Sequence, residues 1–212
     1  MAIVHGVGYE NSPRSHFRSM DIWHTCEPDK VGTEGWLGRA LKELDPNSEN
    51  PVTGVNIGQA LPRAMVAPGV SVASVGDLAT YGLLTSVEEQ EQRLKMLDRF
   101  AKMYAPAIGT GPVMEYIGQT GLDALKGADI LKVAPERYSS NVEYGSSAIA
   151  TSLRDVAAIH TAELGTRIFY TQHGSFDTHA AQGATHAKLW DEVSTAITDF
   201  WDDLREHDAD DN

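Results

Sequence analysis

The sequence predicts an α/β fold that is rich in helix and has a mostly parallel sheet. Three observations predict it: short β-branched runs bounded by glycine or proline, longer stretches with helical periodicity between them, and a polar loop placed directly between a predicted strand and a helix. Apolar residues make up 42% of the 212-residue chain, which is enough to bury a core. We therefore expect residues 1–212 to form one α/β domain.

The elements of the first half follow from local signals. An apolar run over residues 2–7 predicts an opening strand, and Ser15 can cap a short helix that follows it. Apolar residues at helical spacing predict a second helix over residues 33–44. Two β-branched runs, residues 55–57 and 70–75, predict strands.

The second half predicts three helices, then a strand and a long final helix. Ser86 with Glu89 three residues later forms a capping-box pattern for a helix that ends near Tyr104. Apolar periodicity predicts further helices over residues 113–131 and 146–164. Residues 167–172 then form a compact strand pattern, and residues 185–207 an amphipathic helix pattern.

Composition excludes several classes of protein. The net charge of −13 argues against binding to nucleic acid. The single cysteine, Cys26, excludes an internal disulfide framework and a cysteine-rich zinc module. No stretch is long and apolar enough to span a membrane, and no secretory signal is visible, so the sequence as it stands predicts a cytoplasmic location. The oligomeric state is left open.

The strongest candidate site lies in the loop after the last predicted strand. Asp177 and His179 alternate in an extended segment, so their side chains can share one cation, and His186 at the start of the next helix is a candidate third ligand. Oxygen and nitrogen donors suit zinc first, with manganese or iron as alternatives. The alternative is that Asp177 caps a turn, His179 satisfies a loop amide and His186 is a solvated helix residue.

A second candidate site follows the first predicted strand. Ser15 beside His16 could act as a nucleophile, and Arg14 could bind a phosphate or sulfate group through two parallel hydrogen bonds. Ser12 is a rival for the nucleophile position. The alternative is that Ser15 only caps a helix, with Arg14 and His16 on the surface.

Four segments resemble the bacterial family called domain of unknown function 1501, which is similar to sulfatases and alkaline phosphatases. They are GVGYENSPRSHFRSMDIWHT (residues 6–25), GWLG (35–38), RIFY (167–170) and GSFDTHAAQ (174–182), and they occur in order over essentially the whole chain. The resemblance implies an alkaline-phosphatase-like α/β/α sandwich, of which this chain is a part.

The resemblance also implies a metal-centred site and a hydrolytic reaction. Ser15 and His16 resemble the nucleophile region, and Asp177 and His179 resemble the ligand pair of one divalent metal. Ser12 with His16 echoes the spacing of cofactor-independent phosphoglycerate mutases, although family members more often have proline at Ser12. The implied reaction is in-line attack on a small phosphate or sulfate ester.

The chain departs from the family at both ends. A Gly-Gly-x-Asp segment that members carry early, and the Ser-Glu-Phe-Gly-Arg and Asp-His-Gly motifs that they carry late, do not occur here. The resemblance therefore implies an internal part of a larger enzyme, inactive alone, whose parent is exported if it carries the family's twin-arginine signal. Two alternatives stay open: a non-catalytic binding or scaffold protein, and a small one-metal enzyme using Asp177, His179 and His186.

Overall fold

Three short parallel strands form the sheet in the computed structural model of the protein, which describes residues 5–6, 8–12, 14–81, 90–104 and 111–211. The strands are β1 (Gly54–Ile57), β2 (Val72–Val75) and β3 (Ile168–Tyr170), in the order β2-β1-β3. Gly54 pairs with Val72 on one side and with Ile168 on the other. The central strand β1 is buried over its whole length, including Asn56, whose amide donates a hydrogen bond to Ser74 Oγ at 2.6 Å.

Helices cover both faces of this sheet. On one face, side chains of β1 and β2 pack in the main core with the helices that precede β3; this core includes Val55, Ile57, Val75, Leu131 and Ile159. On the other face, a side chain at Gly54 would meet Leu41 and Met65, so a helix and a short 3-10 helix lie close to the strand there. This arrangement confirms the predicted α/β class and its parallel sheet.

Seven α-helices accompany the three strands in the described part of the chain. They are α1 (His16–Thr25), α2 (Trp36–Leu44), α3 (Gln90–Tyr104), α4 (Pro112–Leu131), α5 (Val133–Arg137), α6 (Ala148–Thr161) and α7 (Gln182–Glu206), with a 3-10 helix at Arg63–Met65.

Helix ends follow the local chemistry of the sequence. The Ser15 side chain accepts a hydrogen bond from the Arg18 backbone N–H at 3.4 Å, and α1 ends at Cys26 in the left-handed conformation. Ser147 caps α6 in the same way through the Ala150 N–H at 3.2 Å. Pro112 occupies the first turn of α4, where its missing N–H costs no hydrogen bond.

Most predicted elements are confirmed, with shifted boundaries. Helix α2 begins three residues later than the predicted residue 33, and α7 begins three residues earlier than residue 185. Helix α5 was not predicted. The capping box at Ser86 and Glu89 lies outside the described residues, as does most of the predicted strand over residues 2–7.

An ion-pair network attaches α1 to the rest of the structure. Asp21 is buried on α1 and pairs with Arg18 of the same helix, and its Oδ1 lies 2.8 Å from Arg63 Nη1 on the 3-10 helix. Arg18 also donates hydrogen bonds to the carbonyl oxygens of Glu27 and Pro28, at 3.0 and 2.7 Å. These contacts hold the start of α1 in one place relative to the sheet.

The C-terminal end of α7 is held against the segment before α6. Asp203 has no exposed surface, and its Oδ2 accepts hydrogen bonds from the hydroxyl groups of Tyr138 and Tyr144, at 2.5 and 2.6 Å. Burial, reinforced by the bond to Asp203, raises the pKa of both tyrosines. Among the described helices, none has the length and apolar character needed to cross a bilayer.

Candidate functional site

Three polar side chains from opposite ends of the sequence meet on one surface. Asp177 Oδ2 lies 3.2 Å from His16 Nε2, and Asp177 Oδ1 lies 2.9 Å from His179 Nε2. One ligand atom from each residue lies within 4.8 Å of the others. His16 and Asp177 are 161 positions apart in the sequence, so the fold itself creates this group. We call these three residues the His–Asp–His group.

His16 is positioned by the start of α1. It is the first residue of that helix, directly after the capping residue Ser15. The Asp21–Arg63 ion pair fixes the same helix one turn further along. The imidazole therefore extends from a helix that this ion pair attaches to the 3-10 helix, which limits the positions it can reach.

Asp177 and His179 are positioned by the loop that follows β3. Open parallel sheets place ligand sites beyond the carboxyl ends of their strands, and this loop, residues 171–181, lies there. The Thr178 N–H donates to the Phe176 carbonyl at 3.0 Å, and the Ala180 N–H donates to the Thr178 carbonyl. Each bond closes a three-residue turn, one centred on Asp177 and the other on His179. Both candidate ligands therefore lie at the apex of a turn.

The electrostatics of the group favour an ionised carboxylate. The hydrogen bond from His179 holds the pKa of Asp177 below its ordinary value, and His16 acts in the same direction. All three side chains are well exposed, at 74% for His16, 62% for Asp177 and 76% for His179. The group is therefore open to ions and small molecules from solvent.

The donor set fits a divalent transition metal. Two imidazole nitrogens and a carboxylate oxygen are the ligands that catalytic zinc sites use, with the remaining coordination position open to water or substrate. Ligand atoms on a tetrahedral zinc ion stand about 3.3 Å apart, given zinc–ligand bonds of about 2.0–2.1 Å. In this group His16 Nε2 and His179 Nε2 contact different oxygens of the Asp177 carboxylate, at 3.2 and 2.9 Å, and one ligand atom from each residue lies within 4.8 Å of the others, so all three side chains can reach a single ion.

The predicted nucleophile region lies next to this group. Ser15 adjoins His16 and uses one lone pair of its hydroxyl oxygen to cap α1, as the structural alternative predicts. Arg14 is exposed and has a left-handed backbone with φ of 55°.

The rival nucleophile Ser12 hydrogen-bonds to a tyrosine and not to the His–Asp–His group. Its hydroxyl donates to the hydroxyl oxygen of Tyr9 at 3.4 Å, and Tyr9 also bonds to Ser19 at 2.6 Å. The Ser12 hydrogen bond lowers the pKa of Tyr9.

The structure does not bring His186 into the His–Asp–His group. Its Nε2 accepts a hydrogen bond from Trp190 Nε1 at 3.3 Å, one turn further along α7, and its ring packs against Phe176. His173, near the start of the same loop, has its Nε2 3.3 Å from Glu192 Oε2. Both histidines therefore lie where the loop meets α7, His173 on the loop and His186 on the helix.

Sequence patterns predicted two of the three members of the group, Asp177 and His179, as metal ligands, but they did not predict that role for His16. Asp177 and His179 stand out because they alternate in one loop, whereas His16 was predicted only as a catalytic residue beside Ser15. No local spacing links His16 to a loop 161 positions away. The available signal was that both segments follow stretches that the sequence predicts as strands, of which the first, residues 2–7, lies mostly outside the described residues.

Comparison of the chain with protein-family models, curated proteins and solved structures found no match. The resemblance described above stays a prediction from its motifs, and the functional argument depends on the geometry of the site.

Proposed function

We propose that this chain carries a divalent-metal site, zinc in the first place, that acts in the hydrolysis of small phosphate or sulfate esters. The observation that carries the proposal is that Asp177 lies 3.2 Å from His16 and 2.9 Å from His179, and that His16 follows Arg14 and Ser15 in the sequence. A metal bound there would supply Lewis-acid polarisation of an ester oxygen. The alkaline-phosphatase-like fold implied by the motifs is part of the same proposal.

The chain's own residues suit the other parts of this chemistry. Asp177, whose pKa is held below its ordinary value, is ionised at neutral pH, and metal binding would require each imidazole Nε2 that donates to it to give up its proton. Arg14 offers a planar guanidinium for the anionic oxygens of the ester. Ser15 accepts the Arg18 N–H through its oxygen and keeps its own O–H proton to donate, so the hydroxyl remains available at the start of α1.

Metal binding is the first test of the proposal. After treatment with a chelator, titration of the chain with Zn²⁺ followed by calorimetry should show one bound ion. Asp177→Asn and His179→Ala should each weaken binding by more than about 100-fold, because each removes a ligand, whereas loss of a residue that only orients a ligand costs about 10–100-fold. His24→Ala, which removes a histidine at the opposite end of α1, should leave the affinity unchanged. Equal binding by Asp177→Asn and by the parent chain would contradict the proposed site.

Hydrolysis is the second test, and it separates the two candidate functions. The motif resemblance implies a chain that is inactive alone, whereas the proposal, which places the metal group beside Ser15 and Arg14, expects measurable turnover. The zinc-loaded chain should release nitrophenol from an aryl phosphate or an aryl sulfate, and Ser15→Ala should abolish that release while zinc still binds. The exposure of all three ligand side chains specifically favours the second candidate, a metal-binding protein without catalysis, since active sites that close over their substrate shield the reacting groups from bulk water. Stoichiometric zinc with no turnover of either ester would support that candidate.

A further inference from the structure

The loop that carries Asp177 and His179 has little regular structure of its own. Residues 171–181 contain no helix or strand, and three of them, Ser175, His179 and Ala181, adopt positive φ values of 70°, 50° and 52°. Such left-handed conformations are rare for residues other than glycine and persist only where surrounding contacts impose them. The contacts that hold this loop therefore decide whether the His–Asp–His group forms.

One aromatic side chain joins the loop to α7. The ring of Phe176 makes edge-to-face contacts with three rings, at centroid distances of 5.7 Å to His173, 5.8 Å to His186 and 5.4 Å to Trp190. His186 and Trp190 are one turn apart on α7 and are joined by the 3.3 Å hydrogen bond between them. The helix thus presents a fixed surface to the Phe176 ring.

Phe176 is directly connected to the first ligand of the loop. It precedes Asp177, and its carbonyl accepts the hydrogen bond that closes the turn around Asp177. The Phe176 ring contacts α7, whereas the Asp177 carboxylate contacts His16, which lies on α1. Because adjacent Cα atoms are a fixed ~3.8 Å apart, holding the Phe176 ring restricts where the Asp177 carboxylate can lie.

We propose that Phe176 is a positioning residue for the metal site: its ring, seated on His186 and Trp190, holds the Asp177 carboxylate between His16 and His179. This inference builds on the proposed function but adds a residue that binds neither metal nor substrate. It also gives His186 a role, because its ring packs against Phe176 and so helps to hold the loop against α7.

The test compares variants of Phe176 in the whole chain. Phe176→Ala should weaken Zn²⁺ binding at least about tenfold, the range in which residues that orient ligands act. Phe176→Tyr, which keeps the ring, should bind zinc within about twofold of the parent chain. Phe200→Ala is the matched control, because Phe200 lies on α7 and packs against the main core. It should lower the melting temperature and leave zinc affinity unchanged.

A measurement on the metal-free chain keeps this inference separate from the proposed function. The ligand atoms of His16 and His179 lie within 4.8 Å of each other, so nuclear Overhauser effects between the two imidazole rings should be seen in the parent chain. They should disappear in Phe176→Ala and Trp190→Ala and persist in Phe176→Tyr. Their persistence in Phe176→Ala would overturn the inference whether or not zinc binds. A parent chain that shows these effects but binds no zinc would contradict only the proposed function.

Discussion

His207 shows how one side chain can respond to pH through its hydrogen bonds. Its Nδ1 lies 2.8 Å from the Asp203 carbonyl oxygen and its Nε2 lies 3.0 Å from the Ser139 carbonyl oxygen. Carbonyl oxygens only accept hydrogen bonds, so both ring nitrogens must donate, and only protonated histidine can do this. The bond to the Asp203 carbonyl is the main reason that the pKa of His207 is raised.

The groups around His207 act in the same direction. The Asp203 carboxylate lies 3.2 Å from Nδ1, and the charge of Glu206 also favours the protonated form. The Tyr138 ring stacks on the imidazole at a centroid distance of 5.7 Å. Protonated His207 therefore connects the end of α7 to the segment at residues 138–141.

This connection predicts a pH-dependent stability. A group whose pKa is raised on folding stabilises the protein fully below its unfolded pKa, about 6.5 for histidine, and loses that effect as the pH rises through the folded value. The difference in free energy of unfolding between the parent chain and His207→Gln should be largest near pH 5.5 and should shrink above pH 6.5. Urea unfolding at several pH values measures it. A difference that grows with pH would contradict the assignment.

The contact between α2 and the 3-10 helix depends on a glycine. Gly35 precedes α2, and a methyl group at this position would come within 2.0 Å of the Ala64 carbonyl oxygen. Its backbone φ of −72° is open to any residue, so the requirement is for space rather than for a special conformation. The Gly35 N–H also donates to the Val66 carbonyl at 2.8 Å, which holds the two segments close together.

Replacing this glycine should therefore cost stability. Gly35→Ala should lower the free energy of unfolding by about 2–3 kcal/mol, because backbone atoms cannot yield as a side chain can. Gly183→Ala is the matched control in α7, where nothing lies within 4 Å of the new methyl group. It should raise stability by about 0.5–1 kcal/mol through better helix propensity. Chemical denaturation measures both, and a neutral Gly35→Ala would show that the two segments can separate freely.

Local signals predicted the helices and strands with shifts of a few residues. Ser15 and Ser147 cap their helices because their hydroxyl groups reach backbone N–H groups three residues on. Helix α5 escaped prediction because Val133–Arg137 is too short to show a period and contains Pro135. The early start of α7 was not predicted because no capping side chain marks it. The residue before the helix is Ala181, which has a left-handed backbone.

The His–Asp–His group joins distant parts of the whole molecule. His16 belongs to α1 near the start of the chain, and Asp177 to the loop after β3. A metal held by both would link these two regions in the folded state, whereas the unfolded chain keeps them apart. Binding should therefore stabilise the fold as a whole.

Zinc should raise the stability of the entire chain. At a free concentration of about 100 times its dissociation constant, zinc should add about 2.7 kcal/mol to the free energy of unfolding. Asp177→Asn should remove most of this gain at the same zinc concentration. Thermal or urea unfolding with and without zinc measures the effect, and an equal gain in both chains would place the metal elsewhere.

The α/β class, the parallel sheet and the polar loop after β3 could be predicted from the chain alone. Helical periods, β-branched runs and capping hydroxyl groups act between residues a few positions apart, so their pattern is visible in the order of residues. Which polar groups meet was decided only by folding: His16 approaches Asp177, while His186 turns to Trp190 and Phe176. These choices depend on how α1 packs against the 3-10 helix and α7 against α6, and packing brings together residues that no local spacing connects.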